Sequence, residues 1–414
     1  MFRCIILISI LQTWIVAAQE VSRVLQQDLA ATVTNYGYTF ETHTVVTEDG
    51  YILETFRVCK GSCSGKPVVF LQHGVFNTGQ HFLLLDPPRS LGYILANTYD
   101  VWIGNSRGTT FSRRHKTLNP ETDAQFWRFS FDEKGRYDLP ANIDYILNAT
   151  GRSQLYYVGH SEGTSSFYVM GSTRPEYNAK VKASISLSAV AYLKHINNPV
   201  FQLLAANVHL IEDLLAGLPL AAVYDLRIPN GLIAIFGQIL CSDGALLTQP
   251  VCKQLLVSFA GYSTLELNKT TIPAILTITP SESSIFQVLH YIQLIRSGFF
   301  RRYDYGPTEN LRRYNQPAPP NYDLSKVTCD TYLMVSRNDF FADLGEVQQL
   351  TSKQLGNLKG MYIVPDPLWA HNDFITGVNA KRFLYDRILC LLTNYETKSQ
   401  KNCMAQNDVF NIFG

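Results

Sequence analysis

Two pentapeptides in this 414-residue chain fit the pattern Gly-x-Ser-x-Gly, and each restricts the local backbone to a sharp turn around a serine. The first has Ser106 at its centre and the second has Ser161. Flanking glycines relieve crowding where a strand turns abruptly into a helix, an arrangement that exposes a serine hydroxyl. At average residue usage the pattern occurs by chance in roughly one chain in seven of this size. The surrounding residues must therefore separate the two serines.

The residues around Ser161 predict a strand, a turn and a helix in succession. Residues 154–158 are apolar and aromatic and read as a buried strand. Residues 164–170 begin with small side chains and continue with apolar ones, without Pro or Gly until Gly171. This is the context that the motif requires, and it makes Ser161 the predicted nucleophile.

Ser106 also follows a predicted strand, but the residues after it differ. Residues 109–115 are polar and basic, show no helical apolar stripe, and lead to the turn signal Asn119-Pro120. A loop does not hold a serine hydroxyl against a helix N-terminus. We interpret Ser106 as part of a structural turn beside the site.

Apolar strand candidates alternate with helix candidates along most of the chain. This alternation indicates an α/β fold with a mostly parallel central sheet and helices on both faces. Ligands bind beyond the carboxyl ends of the strands in such sheets. The clearest helix is predicted over 139–147, with Asp138 as its cap and Pro140 near the first helical position. The predicted strands are 68–71, 101–103, 155–158, 183–188, 331–335 and 361–364.

The alternation breaks between 191 and 322, where several short apolar helices are predicted. We interpret 191–322 as a helical cap or lid whose apolar faces line an acyl-chain pocket. It would be inserted between the two parts of a catalytic core, 19–190 and 323–414. Residues 1–18 have the positive start, apolar core and small terminal residues of a secretory signal peptide. A membrane anchor is the alternative, but the apolar stretch is short and interrupted by Gln12 and Thr13. Elsewhere no uncharged apolar run has membrane-spanning length.

Secretion agrees with two N-glycosylation sequons, at Asn148 and Asn268. Of eight cysteines, seven remain once Cys4 leaves with the signal peptide, so at least one is unpaired or bridges two molecules. Two pairs are spaced to close small loops, and the pairing of the others is open. The pairs are Cys59 with Cys63 and Cys241 with Cys252; the others are Cys329, Cys390 and Cys403.

Composition excludes several classes of partner. A formal net charge of +1 argues against nucleic acid and strongly acidic partners. The cysteines lack histidines at ligand spacing, so no metal is predicted. No cofactor is required by the chemistry that the serine motif indicates.

A serine hydroxyl is a weak nucleophile near neutral pH, so it needs a base, and the base needs an orienting carboxylate. In folds of this kind the order along the chain is serine, acid, histidine. Of the nine histidines, only His371 lies beyond the strand 331–335. The acid should follow that strand directly, which favours Asp339, with Asp343 as the runner-up and Asp373 too near His371.

The oxyanion formed on acyl attack needs two preorganised N–H donors, each worth roughly 3 kcal/mol of barrier. One is the amide of Glu162, at the start of the helix that follows the turn, where the helix dipole adds positive potential. The other should come from the loop after an early strand. The strand 68–71 leads to His73-Gly74-Val75, so the Val75 amide is the second predicted donor.

Several of these segments together resemble the acid lipases, a group that includes gastric lipase, lysosomal acid lipase and secreted insect relatives. The similarity spans nearly the whole mature chain and is looser across the predicted cap. It rests on Leu71-Gln72-His73-Gly74, Gly104-Asn105-Ser106-Arg107-Gly108, Phe129-Ser130-Phe131-Asp132-Glu133, Tyr137-Asp138-Leu139-Pro140, Gly159-His160-Ser161 and His371-Asn372-Asp373-Phe374, with Thr47-Glu48-Asp49-Gly50-Tyr51-Ile52-Leu53 nearer the N-terminus.

The resemblance implies an α/β-hydrolase fold with a helical cap and hydrolysis of acylglycerols or sterol esters without a cofactor. It places the family's serine, acid and histidine on Ser161, Asp339 and His371, and its oxyanion amides on Val75 and Glu162. It makes Ser106 non-catalytic. It also maps the family's cap disulfide onto Cys241 and Cys252.

Two features depart from the family pattern. The spacing from Asp339 to His371 is a few residues longer than expected, and Glu162 stands where the family usually has Gln. The backbone amide survives that change, but an ionised carboxylate would disfavour a nearby oxyanion, an effect that its place in the first helical turn partly offsets. We therefore expect Glu162→Gln to raise activity more at neutral than at acidic pH.

The residues thus predict a secreted lipase or carboxylic ester hydrolase that acts on a lipid ester at a lipid–water interface. Extracellular space is the expected location, with a lysosome-like lumen as the alternative. A different class of function is a lipid carrier or storage protein on a retired lipase fold. The complete triad argues against the carrier, and only Glu162 and the altered spacing favour it.

Overall fold

The computed structural model describes residues 28–208, 225, 261–263, 266–267 and 271–404. The predicted signal peptide lies outside the described residues, as do Cys241, Cys252, Asn268 and much of the predicted cap. Within the described part of the chain, no helix is both long enough and apolar enough to cross a membrane.

The core is one open nine-stranded sheet. Its order is β1-β2-β4-β3-β6-β7-β8-β9, and β5 pairs with β2 outside that path. From β4 through β9 all neighbours are parallel, while β2 is antiparallel to β1, β4 and β5. The predicted mostly parallel α/β sheet is confirmed, with an antiparallel hairpin added at one edge. The strands are β1 Thr39–Val46, β2 Tyr51–Cys59, β3 Val68–Gln72, β4 Asp100–Gly104, β5 Arg114–His115, β6 Leu155–His160, β7 Val181–Leu187, β8 Asp330–Val335 and β9 Leu358–Ile363.

The central strands are buried on both faces, which explains their continuous apolar sequences. Every residue of β3, β4 and β6 is buried. Successive side chains point to opposite faces, so Tyr157 enters one hydrophobic core while Tyr156 and Val158 enter the other. Helices cover both faces because each face is apolar.

The helices mostly connect the parallel strands. Residues 28–35 are helical before β1. The helices after β2, apart from 3₁₀ turns, are α1 Leu91–Ala96, α2 with consecutive segments Phe131–Glu133, Lys134–Asp138 and Leu139–Thr150, α3 Glu162–Thr173, α4 Pro199–Ala206, α5 Ile272–Ile278, α6 Ile285–Ser297, α7 Pro307–Tyr314, α8 with segments Leu344–Glu346, Val347–Thr351 and Ser352–Gln354, α9 Asp373–Thr376, and α10 with segments Lys381–Tyr385 and Asp386–Thr397. Short 3₁₀ turns occupy Gly79–Leu83, Ala124–Trp127, Pro175–Lys180 and Leu324–Lys326.

Helix α2 begins earlier than predicted, so the assignment of Asp138 as its cap was wrong. Ser130 is the cap: its hydroxyl accepts from the Asp132 amide at 3.1 Å, and the Glu133 carboxylate accepts from the Ser130 amide at 2.7 Å. This Ser-x-x-Glu capping box starts the helix, which then continues through Asp138 with helical backbone angles. The Asp138 carboxylate instead binds Arg107.

Register brings the carboxyl ends of the central strands to one edge. In the parallel pairs, Gln72 of β3 lies beside Gly159 of β6, and Gly159 lies beside Ser186 of β7. The residues that follow these strands therefore emerge side by side, which is where ligands bind in such sheets.

Within the described residues, two disulfides lie away from this edge. Cys59 is bonded to Cys63, one of the two loops that spacing allowed, and Cys390 is bonded to Cys403. Cys329 is a buried free thiol.

Candidate active site

Ser161 occupies a strained turn between β6 and α3. Its backbone has φ 54° and ψ −119°, a positive φ that a non-glycine residue adopts only where the surroundings enforce it. The Ser161 amide donates to the Leu187 carbonyl of β7 at 3.0 Å, which fixes the turn to the sheet. A Cβ at Gly163 would lie 2.5 Å from the Gln72 carbonyl oxygen. That glycine is therefore required by the close packing of β3 against α3.

His371 lies opposite this turn, in the loop between β9 and α9. Its Nε2 is 2.7 Å from the Ser161 hydroxyl, and its Nδ1 is 2.9 Å from a carboxylate oxygen of Asp339. Asp339 follows β8, and all three side chains are buried. Three residues predicted from separate parts of the chain thus form one continuous chain of hydrogen bonds.

Asp339 is held in its ionised form. Its carboxylate accepts the amides of Phe341 at 2.9 Å and Ala342 at 3.0 Å. Burial opposes ionisation, but the His371 imidazole and these hydrogen bonds outweigh it, so the pKa of Asp339 lies below its usual value. Asp343, the alternative acid, instead caps α8 by accepting from the Glu346 amide at 2.9 Å.

Ser188 joins this group, and the sequence analysis did not select it. Its hydroxyl donates to the second carboxylate oxygen of Asp339 at 2.6 Å and lies 2.8 Å from His371 Nδ1. Ser188 directly follows β7 and has φ 55°. The available signal was a polar residue at the carboxyl end of a strand next to β6, which was read as the last residue of the strand.

The His371 loop is fixed from below and from the side. His160 Nε2 is 2.9 Å from the His371 carbonyl oxygen. Burial is the main cause that lowers the pKa of His160, to about 3, and the nearby His371 ring is the second cause. Asp373 accepts from the Ala370 amide at 2.8 Å and from the Ser263 amide at 3.1 Å. Asp373 therefore shapes the loop and takes no place in the hydrogen-bond chain to Ser161.

The two predicted oxyanion donors border the serine. Gly74 lies so close that a Cβ there would be 2.8 Å from Ser161 Cβ, so only glycine lets the loop that carries Val75 approach. Val75 and Ser161 line the same cavity. The Glu162 amide is the first of α3, and helix geometry leaves such an amide without an intrahelical acceptor.

Ser106 is engaged in a different way. Its hydroxyl accepts from the Gln72 side chain at 2.9 Å, and its amide donates to His73 Nε2 at 3.0 Å. Arg107, the next residue, is buried and binds Asp138 at 2.7 Å and Asp49 at 2.6 Å. The Ser106 backbone amide thus anchors His73, in the loop that precedes Val75, while the Ser106 hydroxyl and Arg107 bind other parts of the scaffold.

A small apolar cavity borders Ser161. Its walls come from the loop after β3, from the region after β7, from α4 and α6, and from the loop that carries Asp339. The lining residues are Val75, Ser161, Val190, Leu193, Ile196, Phe201, Tyr291 and Phe341. A hydrocarbon chain fits such walls better than a polar group does.

Two side-chain groups in the described residues have metal-ligand spacing, and neither lies at Ser161. One contains Cys59 and Cys63, whose sulfurs are joined in a disulfide. In the other, Glu346 already accepts the backbone amides of Lys194 at 3.0 Å and His195 at 3.3 Å.

Comparison with known proteins agrees with this geometry. Residues 29–86 match the family model described as a partial alpha/beta-hydrolase lipase region, and residues 67–235 match the alpha/beta hydrolase fold. Lipase 1 of Drosophila melanogaster is 37% identical over 361 residues, covering 87% of this chain and 78% of that protein. The chain belongs to the acid lipase family of α/β-hydrolases.

Mammalian members of the acid lipase family are similarly related. Bovine (Bos taurus) gastric triacylglycerol lipase is 35% identical, covering 87% of this chain and 89% of that protein. Human (Homo sapiens) lysosomal acid lipase/cholesteryl ester hydrolase is 36% identical, covering 88% and 90%. The predicted enzyme class, a lipase or ester hydrolase, is confirmed at the level of the family.

Solved structures show the same fold. A Sulfolobus solfataricus protein superposes with a TM-score of 0.57 at 16% identity, covering 87% of this chain and 95% of that one. An Acinetobacter baumannii protein gives a TM-score of 0.51 at 14% identity, covering 90% and 97%. The acid lipase chain therefore shares the α/β-hydrolase fold with bacterial and archaeal proteins of very different sequence.

Proposed function

We propose that this protein hydrolyses acylglycerols or sterol esters through an acyl-enzyme formed on Ser161, with His371 as base and Asp339 as the orienting acid. The observation that carries the proposal is the continuous hydrogen-bond chain from Asp339 through His371 to the Ser161 hydroxyl. That chain ends on a serine held in a strained turn beside an apolar cavity.

The first half of the reaction transfers the acyl group to the enzyme. Ser161 Oγ attacks the ester carbonyl carbon while His371 Nε2 accepts the hydroxyl proton. The resulting oxyanion lies between the amides of Val75 and Glu162. As the tetrahedral intermediate collapses, the bond to the alcohol oxygen breaks, and His371 returns the proton to the departing alcohol.

The second half releases the acid. Water gives a proton to His371 and attacks the acyl carbon, and the same amides bind the second oxyanion. Collapse frees the fatty acid, and the proton on His371 returns to Ser161 Oγ. Throughout, Asp339 and Ser188 hold the imidazole in one orientation and stabilise its cationic form. No cofactor takes part.

The apolar walls of the cavity support an acyl chain as the group bound next to Ser161. The names of two relatives agree with this substrate class, one being a triacylglycerol lipase and the other a cholesteryl ester hydrolase. We assign residues 191–322 the role of a cap whose opening at a lipid–water interface admits the ester.

We further propose that the protein is secreted after removal of residues 1–18. Two disulfides support an oxidising compartment, because cytosolic thiols are kept reduced. Asn148 is exposed near the end of α2, where an N-linked glycan would project into solvent.

The test is hydrolysis of a water-insoluble triglyceride emulsion by two matched alanine variants. We expect Ser161→Ala to lose activity by about 10⁴-fold or more, because the variant lacks the hydroxyl that forms the acyl-enzyme. Ser106→Ala should keep wild-type activity per folded molecule. Retention of activity by Ser161→Ala, or its loss in Ser106→Ala with the fold intact, would reverse the assignment.

A catalytically retired lipid carrier makes the opposite prediction. Such a protein would hydrolyse neither emulsified nor soluble esters at any detectable rate, and Ser161→Ala would change nothing. The intact hydrogen-bond chain at Ser161 argues against that alternative.

A further inference from the structure

The residue after the proposed nucleophile carries a buried charge, and that charge is paired. One Glu162 carboxylate oxygen accepts from Lys134 Nζ at 2.6 Å, and both side chains are buried. The other oxygen accepts from the Gln287 side-chain amide and from the Tyr291 hydroxyl, the latter at 3.1 Å. Four side chains thus form a hydrogen-bonded network directly behind the nucleophile turn.

Lys134 reaches Glu162 because α2 packs very closely against α3. A Cβ at Gly135 would lie 2.5 Å from the Ser166 carbonyl oxygen and 2.6 Å from Val169 Cβ. Only glycine permits this approach. The helix is also underwound from Lys134 to Asp138, a π-helical segment of the kind often found at functional sites.

The network has a defined orientation. Gln287 Oε1 accepts from Lys134 at 3.0 Å and from the Ser283 hydroxyl at 2.7 Å, which leaves the Gln287 amide hydrogens for the Glu162 carboxylate. Tyr291, one turn further along α6, also lines the apolar cavity at Ser161. The ion pair is therefore continuous with the wall of the proposed substrate pocket.

The charge on Glu162 matters because its own amide is a proposed oxyanion donor. An unpaired carboxylate on that residue would oppose the negative charge that develops on the substrate oxygen. Lys134 also acts on the other side of the hole. Burial, with a contribution from the Lys134 ammonium, lowers the pKa of His73 to about 3, and His73 precedes Gly74 and Val75.

We propose that Lys134 is a positioning residue for the oxyanion hole, whose ammonium neutralises the Glu162 carboxylate and keeps the local field favourable to the anionic intermediate. The proposal rests on the proposed function of Ser161. It also explains how a carboxylate is tolerated where the family pattern has an amide.

The test uses two single variants whose electrostatic effects have opposite sign. Lys134→Met leaves a buried carboxylate, and Glu162→Gln leaves a buried ammonium, so both should lose thermal stability. With a soluble short-chain ester at neutral pH, Lys134→Met should lower kcat by about tenfold or more with KM nearly unchanged. Glu162→Gln should keep or raise kcat. The charge-free double variant should return kcat to within a few-fold of wild type.

A tetrahedral inhibitor separates electrostatics from packing. Phenylboronic acid forms an anionic adduct on a catalytic serine, so its affinity should fall in Lys134→Met by the same factor as kcat. Arg107→Met is the matched control. It also removes a buried, ion-paired cation, but at the Ser106 turn instead of the Ser161 turn. It should therefore lower stability without lowering boronate affinity.

Equal loss of kcat in both single variants, with no recovery in the double variant, would show a structural role only and overturn the proposal. If Lys134→Met does not fold, Glu162→Gln is compared with the double variant, and a lower kcat in Glu162→Gln overturns it equally. Failure of the proposed function looks different, since the wild-type protein would then be inactive or Ser161→Ala would be as active as wild type. If only the Lys134 proposal is wrong, the enzyme still loses its activity in Ser161→Ala.

Discussion

The two Gly-x-Ser-x-Gly turns place their serines in opposite chemical situations. The Ser161 hydroxyl binds an imidazole and borders a cavity, whereas the Ser106 hydroxyl accepts from the Gln72 amide beneath the loop that leads to Val75. Both serines are buried, and both turns follow a central strand. The comparison teaches that the pentapeptide specifies a tight turn, and that the element after it decides what the serine can do.

The residue after each serine is a buried ion, and here the two turns diverge again. Arg107 joins its turn to Asp138 of α2 and to Asp49 of the β1–β2 hairpin. Glu162 joins its turn to Lys134 of α2 and to α6. The ion pairs of Arg107 join parts of the scaffold, while the ion pair of Glu162 lies beside a proposed oxyanion donor. Perturbing each turn separately should therefore affect different properties.

The largest expected effect distinguishes Asp339, the proposed acid of the Ser161 site, from Asp343, the alternative acid. Asp339→Asn should lower kcat by about 10⁴-fold, because the amide no longer holds the imidazole in the tautomer that accepts the serine proton. Asp343→Asn, which alters only the cap of α8, should leave kcat within a few-fold of wild type. Steady-state hydrolysis of a soluble ester measures both. Comparable losses in the two variants would contradict the assignment of the acid.

The next effect concerns stability at the Ser106 turn. Arg107→Met leaves the carboxylates of Asp138 and Asp49 without their cation and should cost about 3–5 kcal/mol of unfolding free energy. The folded fraction should retain kcat, since Arg107 does not contact Ser161, His371 or Asp339. Chemical denaturation with parallel activity assays checks this. A loss of kcat with unchanged stability would contradict the proposed difference between the two turns.

A smaller effect is expected at Ser188, and it tests whether this residue helps to position Asp339 and His371 at the Ser161 turn. Ser188→Ala removes a hydrogen bond to the Asp339 carboxylate and should lower kcat by about tenfold with little change in KM. Ser186→Ala, two residues earlier in β7, is the matched control, because its hydroxyl accepts from Tyr168 at 2.9 Å, away from the site. Equal kcat values in the two variants would show that Ser188 does not position the triad.

The sequence predicted those features that depend on local pattern or on order along the chain. The six predicted strands are present, and the central ones, β3, β4 and β6, are apolar runs buried on both faces. Ser161, His371 and Asp339 were selected because the order of elements in this fold places them at one edge of the sheet. The start of α2 was placed wrongly, because Pro140 suggested a first turn where the helix in fact continues from Ser130.

What the sequence did not reveal depends on contacts between distant residues. Lys134 and Glu162 are separated by a helix and a strand, and no local pattern indicates that Gly135 brings them together. Ser188 was hidden because a polar residue at a strand end has no periodicity of its own. The role of Asp138 depended on Arg107, a residue in a different pentapeptide.

The most direct measurement is the position of a covalent fluorophosphonate adduct on the native chain, mapped by mass spectrometry. Arg107 and Arg152 provide tryptic cleavage sites that separate the two serines onto different peptides. A single adduct on the Ser161 peptide, formed in proportion to the loss of esterase activity and absent in His371→Gln, is the expected result. An adduct on the Ser106 peptide, or full inactivation without modification of Ser161, would contradict the account.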